Sequence, residues 1–260
     1  MSPLPGPLST HSLGHILAVG DSLTQHGWDV TKRGWTAQLS QAYLRRLDVI
    51  NRGYSGFNSR WIRSILPRIV PANNAQAARL ITILLGANDA QYAGYQCHVP
   101  LPEYKENLEG LVEAFQSPES ELYALNARIL LITPPPLGDR LFAQRCLRDD
   151  KPNDRRHETS TPYAEVARAV AAKTGVPLVD LWAAIEAGVR NRGHMEFDGY
   201  EEYLWDGLHL NANGNDLLFG LVMDAVRTHY PELDPNHMSF TVPEYRSFKD
   251  NDELLRALEQ

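Results

Sequence analysis

Cysteine is scarce: the chain holds only Cys97 and Cys146. Two thiols make no disulfide framework, and neither belongs to a Cys-x-x-Cys pair. Both read as ordinary thiols in a reducing compartment. His-Glu-x-x-His is missing as well, so no metal site is expected. No apolar run approaches the roughly 20 residues of a membrane helix. Met1 to Gly14 has no basic start and no long apolar stretch, unlike a signal peptide. Asparagine never stands in an Asn-x-Ser/Thr site, and Leu258-Glu259-Gln260 is no peroxisomal or ER address. A cytoplasmic protein is the expectation. Cations are not in excess either. With a formal charge of -7, neither nucleic acid nor an anionic membrane is expected as a partner. Gly-x-Gly-x-x-Gly and the Walker pattern are both absent, so no nucleotide or flavin cofactor is expected.

What is present suits a folded core. The 260 residues are 43% hydrophobic. Without a clear linker or repeat they read as one domain, 1–260, with a core over about 15–230 and a C-terminal extension over 231–260. Short apolar runs alternate with longer amphipathic stretches. Strands are expected at His15 to Val19, Asp48 to Asn51, Arg79 to Leu85, Arg128 to Thr133 and Val176 to Leu181. Helices are expected at Trp35 to Leu47, Ser59 to Val70, Pro102 to Phe115, Pro162 to Thr174 and from Asn213 or Asn215 to about His229. Asp250 to Leu258 reads as a short amphipathic helix. Such alternation implies a three-layer α/β/α fold with a parallel sheet of five strands, ordered 2-1-3-4-5. The ends of strands one and three then form a switch-point crevice, where ligands bind. Arg140 to Thr161 reads as a long polar loop, of the kind that rims a site.

Four segments carry chemistry: Gly20-Asp21-Ser22-Leu23, Asn51-Arg52-Gly53-Tyr54-Ser55-Gly56, Gly86-Ala87-Asn88-Asp89 and Asp206-Gly207-Leu208-His209. Ser22 offers a hydroxyl nucleophile in a strand-to-helix turn. Taken alone, Gly20-Asp21-Ser22 reads better as a turn or helix cap. His209 stands apart among nine histidines because Asp206 lies three residues before it. That spacing folds both side chains onto one turn, so the carboxylate orients the ring and leaves one nitrogen for the serine proton. Donors for an oxyanion are the Ser22 N–H, the Gly56 N–H and the Asn88 amide. Gly53 competes with Gly56 for that role. Tyr54, Phe57, Trp61 and Trp205 are candidates for a substrate wall, with core packing as the plainer alternative. Asp21 and Asp89 read as turn caps in preference to a second acid/base pair. Arg155-Arg156 and Asp149-Asp150 read as a solvated charged face.

These four blocks, in this order, resemble those of the SGNH (GDSL-type) hydrolases. Through that resemblance the roles of nucleophile, base and orienting acid fall on Ser22, His209 and Asp206, and those of the oxyanion hole on Ser22, Gly56 and Asn88. Gly56 is preferred because the family's second block ends in a Ser-Gly pair, here Ser55-Gly56. Three stretches, 52–60, 99–108 and 205–210, look like the isoamyl acetate-hydrolysing esterases in particular. The likeness covers roughly His15 to Tyr230. It implies a flavodoxin-like fold, no metal, a homodimer and hydrolysis of small, short-acyl carboxylic esters. Two rivals stand beside this reading. One is an acyltransferase, or a carbohydrate or lipid esterase, with the same serine site. The other is a catalytically silent flavodoxin-like binding protein.

Overall fold

The computed structural model describes residues 14–191 and 198–258. The readings of the N-terminal stretch before Gly14 and of the final Glu259-Gln260 fall outside them. In chain order the elements are β1 (His15–Gly20), α1 (Ser22–Gln25), α2 (Trp35–Ala42), β2 (Asp48–Gly53), α3 (Ser59–Ile69), α4 (Ala72–Ala77) and β3 (Ala78–Leu84). Then come α5 (Leu101–Gln116), β4 (Arg128–Ile132), α6 (Asp139–Arg148), α7 (His157–Thr174), β5 (Leu178–Val179), α8 (Leu181–Arg190), α9 (Ala212–His229) and α10 (Asn251–Leu258). All five strands are parallel, in the order β2-β1-β3-β4-β5. This is the expected α/β sheet and strand order.

Alternation along the central strands divides the interior into two layers. Leu17 and Val19 of β1, Ile81 and Ile83 of β3, and Ile129 and Leu131 of β4 face one way. They meet Ile62 and Leu66 of α3, Leu108 and Leu111 of α5, and Ala167 and Val170 of α7. Ile16 and Ala18, Leu80 and Leu84, and Leu130 and Ile132 face the other way, against Leu39 of α2, Ile185 of α8 and Leu218 and Val222 of α9. Every residue of β1 is buried, whereas β2 is half exposed at the edge. Each Leu or Ile enclosed in these layers contributes about 1.5–3 kcal/mol. None of the described helices is long and apolar enough to cross a membrane.

Several boundaries differ from the expected ones, each for a local reason. The 140–161 segment is not a loop. It holds α6, whose Phe142 and Cys146 are buried, and the start of α7. Helix α7 begins at His157 and not at Pro162. Arg156 N–H donates to Thr159 Oγ1 at 3.2 Å, and Thr161 Oγ1 donates to the His157 carbonyl at 3.0 Å. These bonds build a first turn ahead of the proline. Strand β5 shrinks to two residues, because Asp180 turns the chain and caps α8 by accepting from Ala183 N–H at 3.0 Å. Helix α2 stops at Ala42, three residues before Arg45 takes the left-handed conformation (φ 62°). Helix α9 is capped by Asn211, not Asn213 or Asn215. The expected helix at the C-terminus is present over Asn251–Leu258.

Gly53 ends β2 where the strand crosses α1. A Cβ there would stand 2.0 Å from the Gln25 backbone nitrogen. Gly53→Ala is therefore expected to destabilise the fold by about 1–3 kcal/mol. Urea unfolding should show a lower midpoint with an unchanged slope; an unmoved midpoint would mean that the contact yields freely.

Candidate active site

Strands β1 and β3 are neighbours, so Ser22 and Asn88 emerge side by side at the same edge of the sheet. Asp21 accepts from Leu23 N–H at 2.9 Å and caps α1. Ser22 therefore opens a helix, where N–H groups of the first turn are left unused by the helix. Its hydroxyl stands 2.9 Å from His209 Nε2, across 187 residues of chain.

The His209 segment builds itself. Asp206 Oδ1 accepts from Leu208 N–H at 3.0 Å and from His209 N–H at 2.8 Å. Its other oxygen, Oδ2, lies 2.8 Å from His209 Nδ1. With the carboxylate ionised, that contact places the proton on Nδ1, so Nε2 is the acceptor for the Ser22 hydroxyl. Burial pushes the Asp206 carboxyl up, but its bonds from His209 and the charge of Arg145 outweigh this and hold it below the usual carboxylate range. Gly207 takes φ 83°, and its backbone sits directly on α6, where a Cβ would meet Phe142 N at 2.4 Å. The Trp205 ring stacks on the His209 ring, with centroids 5.8 Å apart, and His26 meets it edge-on at 5.4 Å. The ring is thus held from two sides.

The proposed oxyanion donors are braced by a connected set of polar groups. Asn88 Nδ2 donates one hydrogen to the Phe57 carbonyl at 2.9 Å, leaving its second for the cavity. Gly56 takes φ 82°, a conformation that favours glycine. Asp89 reaches across to another element. Both of its oxygens accept from Ser59 N–H, at 3.0 and 3.2 Å, so the β3 loop is tied to the start of α3. Asn58 Nδ2 donates to the Cys97 carbonyl at 2.9 Å, and Cys97 N–H to Gln91 Oε1 at 2.8 Å. Cys97 Sγ lies 3.5 Å from the Gly56 carbonyl.

Ser22, Gly56, Asn88 and His209 line one cavity of about 240 Å³. Its other walls include Gln91, Cys97, Phe142, Arg145, Cys146 and Arg155. Gly53 is not among them, and neither are Tyr54, Phe57, Trp61 or Trp205. Tyr54 and Phe57 pack on the core, with the Trp61 ring 5.7 Å from that of Phe57. Trp205 is 44% exposed. Arg155 is not part of a solvated face. It is 5% exposed, donates to the Ala87 carbonyl and pairs with Asp154 at 2.8 Å. Asp149 reaches the cavity rim, paired with Arg148 at 2.9 Å. Nothing in the sequence marked Arg145 or Arg155 for the site; a helical reading of 139–148 would have put Phe142, Arg145 and Cys146 near one face.

Two carboxyls lie buried behind Ser22. Burial raises Asp21 to about 7 and Asp89 to about 6, and the charge of Asp89 adds to the rise of Asp21. Asp21 Oδ2 has no hydrogen-bond partner among the described residues. Folded Asp21 thus keeps its proton where the unfolded chain has lost it, and its contribution to stability falls as pH rises from about 4 to about 7. Asp21→Asn keeps the oxygen that caps α1 and removes this loss. Its stability relative to wild type should grow across that window to a few kcal/mol, on the order of what the shift implies, and level off above it. Urea melts at several pH values would reveal this, and a difference independent of pH would contradict it.

Residues 18–217 match the GDSL-like lipase/acylhydrolase family. The isoamyl acetate-hydrolyzing esterase 1 homolog of Bos taurus is 33% identical over 240 residues, covering 90% of this chain and 88% of that protein. The isoamyl acetate-hydrolyzing esterase of Saccharomyces cerevisiae is 27% identical over 249 residues, covering 91% and 95%. An acetyl-xylooligosaccharide esterase from Geobacillus, 22% identical, shares the fold with a TM-score of 0.60 over 82% of this chain and 94% of its own. On these likenesses the chain belongs to the GDSL-like lipase/acylhydrolase family and is a carboxylic ester hydrolase.

Proposed function

We propose that the chain is a serine esterase of small, short-acyl esters, such as acetates of short alcohols, working through an acyl-enzyme. The 2.9 Å contact between Ser22 Oγ and His209 Nε2 carries this reading. Ser22 Oγ attacks the ester carbonyl while its proton passes to Nε2. The carbonyl oxygen becomes an oxyanion, received by the N–H groups of Ser22 and Gly56 and by the free hydrogen of Asn88 Nδ2. As the intermediate collapses, the C–O bond to the alcohol breaks and His209 returns the proton to the departing oxygen. Water then attacks the acyl-enzyme with His209 again as base, releasing the acid and restoring Ser22. Asp206 keeps the ring in one tautomer and stabilises its charged form throughout.

Size supports a small substrate. The cavity of about 240 Å³ falls below the roughly 300–1,000 Å³ of clefts that take drug-sized ligands. Relatives named for isoamyl acetate hydrolysis point the same way. Free Cys97 and Cys146 are in keeping with a reducing, cytoplasmic setting.

A series of p-nitrophenyl esters tests the proposal. Turnover should be highest on acetate and fall with chain length. Ser22→Ala should lose about 10⁴-fold or more, and Asn88→Ala about 10²–10³ in kcat. Full activity in Ser22→Ala would overturn the mechanism, whereas a preference for long acyl chains would overturn only the substrate class.

A further inference from the structure

Arg145 is a cation of α6 whose position the steps above leave unused. Its Nη1 lies 3.1 Å from Asp206 Oδ2, the same oxygen that faces His209 Nδ1. The approach is off the line of a hydrogen bond, so the contact is Coulombic and Oδ2 keeps its directional bond for His209. Asp206 is fully enclosed, and the Arg145 side chain is 21% exposed. A charge contact of this kind is screened far less than a surface pair. Helix α6 is itself fixed. Phe142 and Cys146 are buried, and Gly138 N–H donates to the Gly207 carbonyl at 2.8 Å, beside the catalytic dyad.

We propose that Arg145 is a positioning residue for the Asp206–His209 pair: its guanidinium holds the carboxylate in place and offsets part of its charge, so that His209 takes the serine proton without keeping it too tightly. This rests on the serine-esterase reading. A carboxylate alone stabilises the imidazolium, which helps the first proton transfer and slows its return. A nearby guanidinium repels the imidazolium and moderates that hold. The other charged or titratable groups around the dyad include Ser22, His26, Asp149 and, over the Trp205 ring, Lys32, and Cys97, Cys146, Lys151, Asp154 and Arg155 line the same cavity as His209. Asp149 meets Arg145 at 3.7 Å, and Lys32 lies 4.8 Å from the Trp205 centroid.

The test compares wild type with Arg145→Met and Arg145→Lys, using p-nitrophenyl acetate from about pH 4 to 9. Without the guanidinium the imidazolium is favoured, so the acid limb of kcat/KM should move up by about one pH unit in Arg145→Met. Below the limb, kcat/KM should drop by up to about tenfold, the loss lying in kcat; above it, the two proteins should agree within about threefold. Arg145→Lys should return the limb most of the way. A rise in KM with the limb unmoved would make Arg145 a substrate contact and overturn the proposal. Equal losses in both variants at every pH would make its role merely structural, with the same result. The His209 imidazole resonances, followed by NMR in the same three proteins, keep the two readings apart. Should wild type turn over no ester, the esterase reading fails, while an upward-moved titration in Arg145→Met still upholds the coupling and an unmoved one still refutes it.

Discussion

Parallel strands cannot be joined by tight turns, so each must be followed by a crossover that brings the chain back to the same starting edge. Here that constraint sends the C-terminal ends of β1, β2 and β3 to one rim. The β2-β1-β3 order places the loops bearing Ser22, Gly56 and Asn88 next to one another. Apolar residues on both faces of β1 and β3 hold these strands in register, and reactive groups sit just where each strand stops. His209 arrives separately, from the loop before α9. It meets Ser22 because α9 packs on the face shared with α2 and α8.

Buried polar groups then fix the fine geometry. Asp21 and Asp89 pay their cost of burial as caps: one starts α1 beneath Ser22, the other joins the β3 loop to α3. Asn58, Cys97 and Gln91 extend this bracing to the Gly56 turn. For the proposed oxyanion hole, donors set in this way would need little rearrangement as charge develops. Burial raises the carboxyls of Asp21 and Asp89, so holding their charged forms there costs stability.

Much of this was legible from residue order. Alternating short apolar runs and amphipathic stretches were enough for the strand order, since few topologies satisfy right-handed crossovers. The Asp206–His209 pair was legible because its geometry is local: three residues span one turn. Helix α6 was not, since its interior is charged and only Phe142 and Cys146 face inward. Arg155 was misread for a related reason. A charged pair looks solvated in sequence, and burial becomes affordable only beside Asp154 and the Ala87 carbonyl, whose nearness the sequence does not show. Tyr54, Phe57 and Trp61 were plausible as substrate wall by residue type, yet they pack against one another outside the cavity.

By itself, the sequence determined the fold class, the strand order, the four chemical segments and the internal design of the Asp206–His209 turn. The fold class and the Asp206–His209 turn depend on periodicity and on contacts a few residues long, and the strand order on the few arrangements that right-handed crossovers allow. Tertiary structure alone decided which nitrogen of His209 meets Ser22, which glycine lines the cavity, and that α6 brings Arg145 against Asp206. Such contacts join residues far apart in the chain, and their distances follow from how whole layers pack rather than from any local preference.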